Sequence, residues 1–541
     1  MIDVSMSKIA KYLNQHILGD AYASEVDLET YSTDKSILKI RPQVVVVPKN
    51  TQDMRKTMRF TSQLAEKGIK LSVTVRGKGN DKTGAAIGDG IIMLTGDMNK
   101  ILDIDVKQRL VRVQPGITIE ELNLALATHG LVVPVAPRHG GHSLGGLIAN
   151  NLSGVSTGKY GRFMEYINEI EVVLSNGDVL QTSRIGKREV NRKKGEQALE
   201  GEIFRRLDSL IDDRQKVIDE FLADDDIDNA GYEMISKVKR KDGSFDLRPL
   251  FFASQGTLGV VSEMIVRAEY LSPQALAVLE VESTDAARDL VDAILPLDPA
   301  ELGFYSEGIF AEAVGAGKHY PIKVSDDKKQ HAGVVLTVMF DDINTRARNR
   351  NIKKVTDLAA RAGAKVTIAS DDNYDEVKSV FNVLDTYLNL AGKGTKLPLV
   401  DGAFVPLNLL GEYLAAVKAL EKRLGMDLPV YGSVLDGVYS IRPSLNLAVM
   451  THRQLAFKLL KEYAGIIDGL DGNMAGDGAE GRLKSVVTRP STDDGLLDLY
   501  KHVKEIFDPK GVLNPGVKTE VDIKWLIAHL RTEYGEGIIK E

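Results

Sequence analysis

Between Leu71 and Leu94 the chain reads LSVTVRGKGNDKTGAAIGDGIIML, two apolar runs that enclose glycines at 77, 79, 84, 88 and 90. The flanking runs, Leu71 to Val75 and Ile91 to Leu94, have the β-branched character of strands, so the glycines fall in the loop that joins them. Such a density of glycine lets successive backbone N–H groups turn toward one point, a concavity that suits a phosphate. A P-loop is excluded, because Lys82-Thr83 follows Asp81 instead of glycine and leads to a strand, not a helix. A dinucleotide-binding turn also opens a helix, and no 3.6-residue periodicity begins here. On this loop alone, a phosphate nest and a ligand-free glycine hairpin both stay open.

The chain has 541 residues, more than one ordinary core, which predicts two or three domains. Its 43% hydrophobic and 27% charged content is that of a globular protein, and the net charge of −7 with dispersed basic residues argues against nucleic acid as a partner. There is no cysteine, which excludes disulfides, iron–sulfur clusters, thiol catalysis and any cysteinyl cofactor bond. Redox chemistry would therefore need a bound cofactor. The start, MIDVSMSKIAKYL, lacks a basic region followed by an apolar core, and no run of 18 apolar residues occurs. A cytoplasmic location, or one peripheral to a membrane, is expected.

Taken in order, residues 4–36 read as a helical lead with Ile9, Leu13 and Ile17 on one face, and Val44 to Val47 as a buried strand. A helix with Thr51 as its N-cap runs to Gly68 and delivers the chain to the glycine loop. Ile101 to Asp105 and Leu110 to Val113 follow as paired strands, then a helix over Thr118 to His129. A second glycine-rich passage, PVAPRHGGHSLGGLIANNLSGVSTGKYG, occupies Pro134 to Gly161. Two such loops can clasp one long diphosphate ligand from two sides. Strands over Glu169 to Leu174 and Val179 to Thr182 flank an Asn-Gly turn and predict a hairpin. The charged segment from Gly186 to Leu247 reads as a solvated helical insertion. Past Pro273, strand-like runs (Leu276 to Val281, Val334 to Phe340, Leu397 to Phe404) alternate with helix-like ones (Asp285 to Leu295, Ile343 to Ala362, Leu409 to Leu424), a second domain of α+β type. An amphipathic tail helix over Asp522 to Glu533 aligns Ile523, Leu526, Ile527 and Leu530.

Seven short motifs occur in one order: YSTD (31–34), RGKGNDKTG (76–84), QPGIT (114–118), SLGG (143–146), KYG (159–161), SQGTLGVVSE (254–263) and DPKGVLNPG (508–516). In that order they resemble the flavoprotein superfamily of vanillyl-alcohol oxidase and p-cresol methylhydroxylase, and within it the FAD-linked oxidases of the glycolate oxidase D-subunit and D-lactate dehydrogenase type. The resemblance implies an α+β protein: a two-subdomain FAD-binding domain of the p-cresol methylhydroxylase type and an α+β cap domain. Its divisions are a lead over 1–37, an FAD-binding domain over 38–272 with the insertion at about 186–247, a cap over 273–505, and a return segment with tail over 506–541.

The same resemblance assigns roles. Arg76, Gly77, Lys78, Gly79, Asn80 and Gly84 wrap the FAD pyrophosphate, and Ser143, Gly145, Gly146 and Asn151 complete the clasp. Gly256, Thr257, Gly259 and Val260 line the adenosine or ribityl side, and Asn514 approaches the isoalloxazine. Asn80 occupies the position where relatives with covalent flavin often carry histidine, so a non-covalent FAD is expected. His139 and His142 lie in the second glycine loop, and His452 reads as surface.

In the D-2-hydroxyacid branch the cap carries a divalent metal held by histidines and an acidic residue. Here the matching positions are Ser433, Ser440, Asp477 and Gly478. Hydroxyls and one carboxylate hold zinc or manganese poorly, so no metal is expected. No arginine lies between Arg361 and Arg423, where one that grips the substrate carboxylate would be expected, which leaves Arg442 and Lys396. Asp477, Arg442 and Tyr439 are the candidates for the substrate side. The implied function is hydride transfer from a small organic substrate, 2-hydroxyacids included, to flavin N5, with a quinone, an electron-transfer protein or oxygen as acceptor. The alternative is a flavin-binding subunit or pseudo-enzyme of a redox complex. Assembly as a homodimer or within such a complex is open.

Overall fold

The computed structural model describes residues 6–135, 137, 141–222, 228–324, 333–390, 395–518 and 523–534. Its first sheet has four strands in the order Asp20–Tyr22, Val44–Val47, Ile91–Leu94, Val73–Arg76. Val44–Val47 and Val73–Arg76 both run parallel to Ile91–Leu94. Parallel neighbours cannot be joined by a tight turn, so the glycine loop is a crossover without a helix and the hairpin reading falls. The second sheet, Ile101–Asp105, Leu110–Val113, Val260–Arg267, Ile167–Val173, Val179–Thr182, is antiparallel throughout and includes the anticipated Asn-Gly hairpin.

Helix Thr51–Glu66 lies between these sheets: Met54 and Met58 share one apolar cluster with Val44, Val73, Val173 and Val260. Its N-cap is Asn50, whose side chain accepts from the Asp53 N–H at 3.0 Å, so Thr51 is the first helical residue and not the cap. Helix Ile119–Ala127 is closed by a reciprocal capping box between Thr118 and Glu121.

The insertion is less solvated than its charge suggests. Helix Leu199–Asp213 buries Ile203, Phe204 and Leu207 in a cluster shared with Leu499 and Val503 of helix Asp494–Phe507. Its charged residues fall on the opposite face, as the 3.6-residue period requires.

The second domain is a seven-stranded antiparallel sheet in the order Lys365–Ile368, Ala275–Val281, Val334–Phe340, Glu301–Ser306, Val430–Ser433, Val438–Ile441, Val400–Phe404. Ala277 and Leu279 pack on one side with helices Thr284–Ile294 and Leu410–Leu424, while Leu276 and Val278 pack on the other with Val377 and Phe381. With both faces covered, the central strand Val334–Phe340 is buried at every position. The chain then returns: Val73 donates to Val512 O at 2.7 Å and Asn514 to Val73 O at 2.9 Å, which seats the C-terminal segment beside the strand that feeds the glycine loop.

The tail helix is shorter than its apolar stripe predicts, Ile523–Ala528. Leu526 is buried against the cap, and Lys39 N donates to His529 O and Arg531 N to Ile37 O, so the tail straps the chain's own lead segment. No helix among the described residues is long and apolar enough to cross a membrane.

Candidate functional site

A cavity of about 520 Å³ lies where the two glycine loops meet the cap sheet. In the first loop, Asp81 accepts hydrogen bonds from the N–H of Thr83 (2.9 Å) and of Ala85 (2.7 Å), folding the chain back on itself. Gly79 has φ +76°, and a Cβ there would lie 2.3 Å from the Arg76 guanidinium. A Cβ on Gly77 would lie 2.2 Å from the Ser143 hydroxyl of the second loop. The loops therefore touch only because glycine is present. The backbone N–H groups of Gly77, Lys78 and Gly79 have no acceptor among the described residues, and all three residues line the cavity.

Other anticipated cofactor residues divide into two groups. Asn80, Ser143, Gly145, Gly146, Gly256, Gly259 and Val260 also line the cavity. Arg76, Gly84, Asn151, Thr257 and Asn514 stand behind it and hold the loops. Arg76 donates to Thr33 O at 2.6 Å and lies over the Tyr31 ring. At Gly84 (φ +79°) a Cβ would press on Leu38. Asn151 ends helix Leu144–Asn150 in the left-handed region and donates to Asn229 Oδ1 at 2.8 Å. Thr257 shares a 2.7 Å hydrogen bond with the Tyr232 hydroxyl. Asn514 does not reach the cavity: its Nδ2 donates to Ala85 O and Gln255 O while its Oδ1 accepts from Thr74, which ties three segments together. His142 lines the cavity, and His139 lies outside the described residues.

Gln255 was missed in the sequence although it sits inside the SQG motif. Its Nε2 donates to Asn150 Oδ1 (2.9 Å) and Thr83 Oγ1 (3.1 Å), and its Oε1 accepts from Gly481 N (2.9 Å). One amide thus couples both glycine loops to the cap.

On the cap side, strand Val438–Ile441 alternates. Val438, Ser440 and the following Arg442 face the cavity, whereas Tyr439 points into the cap core beside Tyr413, with ring centroids 5.4 Å apart. Tyr439 is thus on the wrong face to meet a ligand. Arg442 reaches the cavity wall but is engaged by Asp401, Nε to Oδ1 at 2.7 Å and Nη2 to Oδ2. Lys82 lies 3.0 Å from the same carboxylate. Burial would raise the Asp401 pKa, but the Arg442 and Lys82 charges win and bring it to about 2. Lys484, fully enclosed, donates to Asp401 O and Met474 O, and burial brings its pKa down to about 8. Arg442 and Lys82 on the Asp401 carboxylate, with Lys484 on its backbone oxygen, make this part of the cavity wall basic. Lys396 adds a fourth cation nearby, paired with Glu312 at 2.8 Å.

Acidic groups lie beside these cations: the Asp477 N–H donates to the O of Gly402, the residue after Asp401, at 2.8 Å. Asp477 lines the cavity and accepts from Ser153 N at 2.7 Å. Asp436, in the turn between strands Val430–Ser433 and Val438–Ile441, is 6% exposed, and burial raises its carboxyl to about 6. Among the described residues no three His, Cys, Asp or Glu side chains cluster in a way that could hold a metal ion. Lys82, Lys484, Asp401 and Asp436 were not singled out in the sequence. Lys82 lies inside the RGKGNDKTG motif and Asp436 between Ser433 and Ser440, whereas nothing local marks Asp401 or Lys484.

Comparison with known proteins gives two family matches: the FAD binding domain over residues 42–183 and the FAD linked oxidases, C-terminal domain over residues 263–517. A D-2-hydroxyglutarate dehydrogenase of Pantoea ananatis is 24% identical across 93% of this chain and 50% of its own length. The chain thus spans about half the length of that relative. Glycolate oxidase subunit GlcD of Bacillus subtilis is 22% identical, with 88% of each chain covered. Among solved structures, substrate-bound p-cresol methylhydroxylase superposes with a TM-score of 0.67 at 15% identity, covering 96% of this chain and 97% of the other.

Proposed function

The chain belongs to the FAD-linked oxidases, and on that premise we propose that it is an FAD-dependent oxidoreductase acting on the CH–OH group of a small organic donor, a 2-hydroxyacid in the first instance. The observation that carries this reading is the cavity itself, walled on one side by the two glycine loops and on the other by the cap sheet. FAD fits the residues present: three backbone N–H groups without acceptors among the described residues suit a diphosphate, and the glycines beside Ser143 and Arg76 leave room that a Cβ would fill. When bound, FAD supplies the two-electron oxidant that takes hydride from the donor carbon. With Asn80 in the first loop and no cysteine in the chain, the cofactor is held without a covalent bond.

The chain's own residues bind, orient and shield. The cations Lys82, Lys484 and Arg442 in the cavity wall suit a donor carboxylate, held by point charge because the Arg442 fork is occupied by Asp401. Ser433, Ser440, Asp477 and Gly478 offer no zinc or manganese set, so the chemistry is metal-independent. The names of the relatives, a D-2-hydroxyglutarate dehydrogenase and a glycolate oxidase subunit, support a hydroxyacid donor. The lost metal positions favour one other reading, a flavin-binding subunit without dehydrogenase activity.

Anaerobic mixing of the FAD-loaded protein with D-lactate, glycolate and D-2-hydroxyglutarate in EDTA separates the two. Bleaching of the flavin by one of them supports the enzyme, and no bleaching by any supports the subunit.

A further inference from the structure

We propose, resting on the reading just given, that Asp436 is the catalytic residue that accepts the proton of the donor hydroxyl. In this step the donor O–H proton passes to an Asp436 carboxylate oxygen and the C–O bond becomes C=O. The hydrogen on the same carbon leaves with its electron pair to FAD, the oxidant.

Three observations support the assignment. First, both carboxylate oxygens of Asp436 are buried and have no donor within 3.5 Å in good geometry among the described residues, although the Ser433 hydroxyl lies close enough to bear on them. A buried carboxylate left without donors is costly, and its retention in a cavity wall points to a ligand that completes it. Second, the hydroxyls of Ser433 and Tyr431, also buried and with no partner within 3.5 Å in good geometry among the described residues, line the same cavity from one face of the adjoining strand. A donor hydroxyl would give this group of polar atoms its missing partners. Third, the turn that carries Asp436 is held in place. Gly437 (φ +66°) approaches Val405 O so closely that a Cβ would lie 2.6 Å away, and a Cβ on Gly158 of the FAD side would lie 2.1 Å from the Leu435 Cβ.

Three other acids that line the cavity accept hydrogen bonds or ion pairs: Asp401 holds Arg442 and Lys82, Asp477 accepts from the Ser153 N–H, and Asp81 accepts from the N–H groups of Thr83 and Ala85. Arg162, Asp477, Ser433 and Tyr439 are the titratable or polar groups that bear on Asp436. Burial raises its carboxyl to about 6, with the Ser433 hydroxyl and the Arg162 charge opposing and the Asp477 charge adding, so it is a stronger base than an exposed aspartate.

The test uses FAD-loaded wild type, Asp436→Asn and Asp436→Glu in EDTA with D-lactate, glycolate and D-2-hydroxyglutarate. Three quantities are read: retained flavin absorbance, donor affinity from perturbation of that absorbance, and the anaerobic bleaching rate against pH. Asp436→Asn is expected to keep its flavin and bind donor nearly as well, yet bleach about 100-fold more slowly and lose the rise of rate with pH. Asp436→Glu should recover part of the rate. Bleaching of Asp436→Asn at the wild-type rate with the wild-type pH profile would overturn the assignment alone. Failure of every donor to bleach the wild type would overturn the functional reading and this assignment with it.

Discussion

Arg442 and Asp401 meet inside the cavity wall through two hydrogen bonds, each residue buried to within 7% of full enclosure, and Lys82 closes on the same carboxylate from the FAD side at 3.0 Å. An arginine that the sequence offers as a substrate clamp is here part of a structural pair. Removing one partner of a buried pair leaves the other charge uncompensated, so Asp401→Ala should lower stability by about 3–5 kcal/mol at neutral pH. The Asp401 carboxyl is depressed to about 2, below its ordinary range of about 4. Its contribution is therefore complete above about pH 4 and falls away as pH drops toward 2. Denaturant titrations of both proteins at several pH values should show the gap narrowing only in acid.

The contact between Gly77 and Ser143 governs the cofactor. Gly77→Ala brings a Cβ within 2.2 Å of the Ser143 hydroxyl and must push the two glycine loops apart. FAD affinity should fall by about tenfold or more, equivalent to about 1.4 kcal/mol. Adding Ser143→Ala should restore part of it, because the clash is with that hydroxyl. Flavin titration by fluorescence quenching measures both.

Asn514 joins three segments by three buried hydrogen bonds, at a backbone φ of +40° that asparagine tolerates better than most residues. Asn514→Ala should cost about 2–4 kcal/mol of stability and weaken FAD binding indirectly, since it anchors the loop at Ala85 and the turn at Gln255. Thermal unfolding with and without added FAD reads both effects.

These residues show what could be read from the chain alone. The glycine loop was legible because its physics is local: spacing of Gly, Lys and Asn next to a strand determines what backbone can do there. Strands with β-branched runs, such as Val44–Val47 and Ile91–Leu94, were legible for the same reason, whereas the three-residue edge strand Asp20–Tyr22 lies inside the lead over 4–36 that reads as helical and has no such run. What stayed hidden depends on partners far apart in sequence. Nothing near Asn514 announces that it meets Thr74, and nothing near Arg442 announces Asp401 and Lys82. Tyr439 was placed on the substrate side because strand Val438–Ile441 was recognised only as a segment, without the register that puts alternate residues on opposite faces. The insertion misled by composition, since its charges line one face while Ile203, Phe204 and Leu207 bury the other.

Asp436 should also reveal itself in stability. Its carboxyl is raised by burial to about 6, so the folded protein holds a proton there that the unfolded chain releases near pH 4. The cost of ionising it therefore builds as pH rises from about 4 to about 6 and is full above that. Asp436→Asn should be more stable than wild type above pH 6 by about 2–3 kcal/mol and equal to it below about pH 4. Denaturant midpoints at pH 4, 6 and 8 check the sign and the window.

The most direct test of metal-free hydride removal within this cavity is rapid anaerobic mixing of the FAD-loaded protein with a 2-hydroxyacid in EDTA, comparing donor with ordinary hydrogen and with deuterium at C2. Flavin bleaching is expected to proceed without added metal and to be several-fold slower with the deuterated donor. Bleaching that appears only after zinc or manganese is restored, or that is indifferent to deuterium because no donor C–H bond is broken, would contradict this expectation.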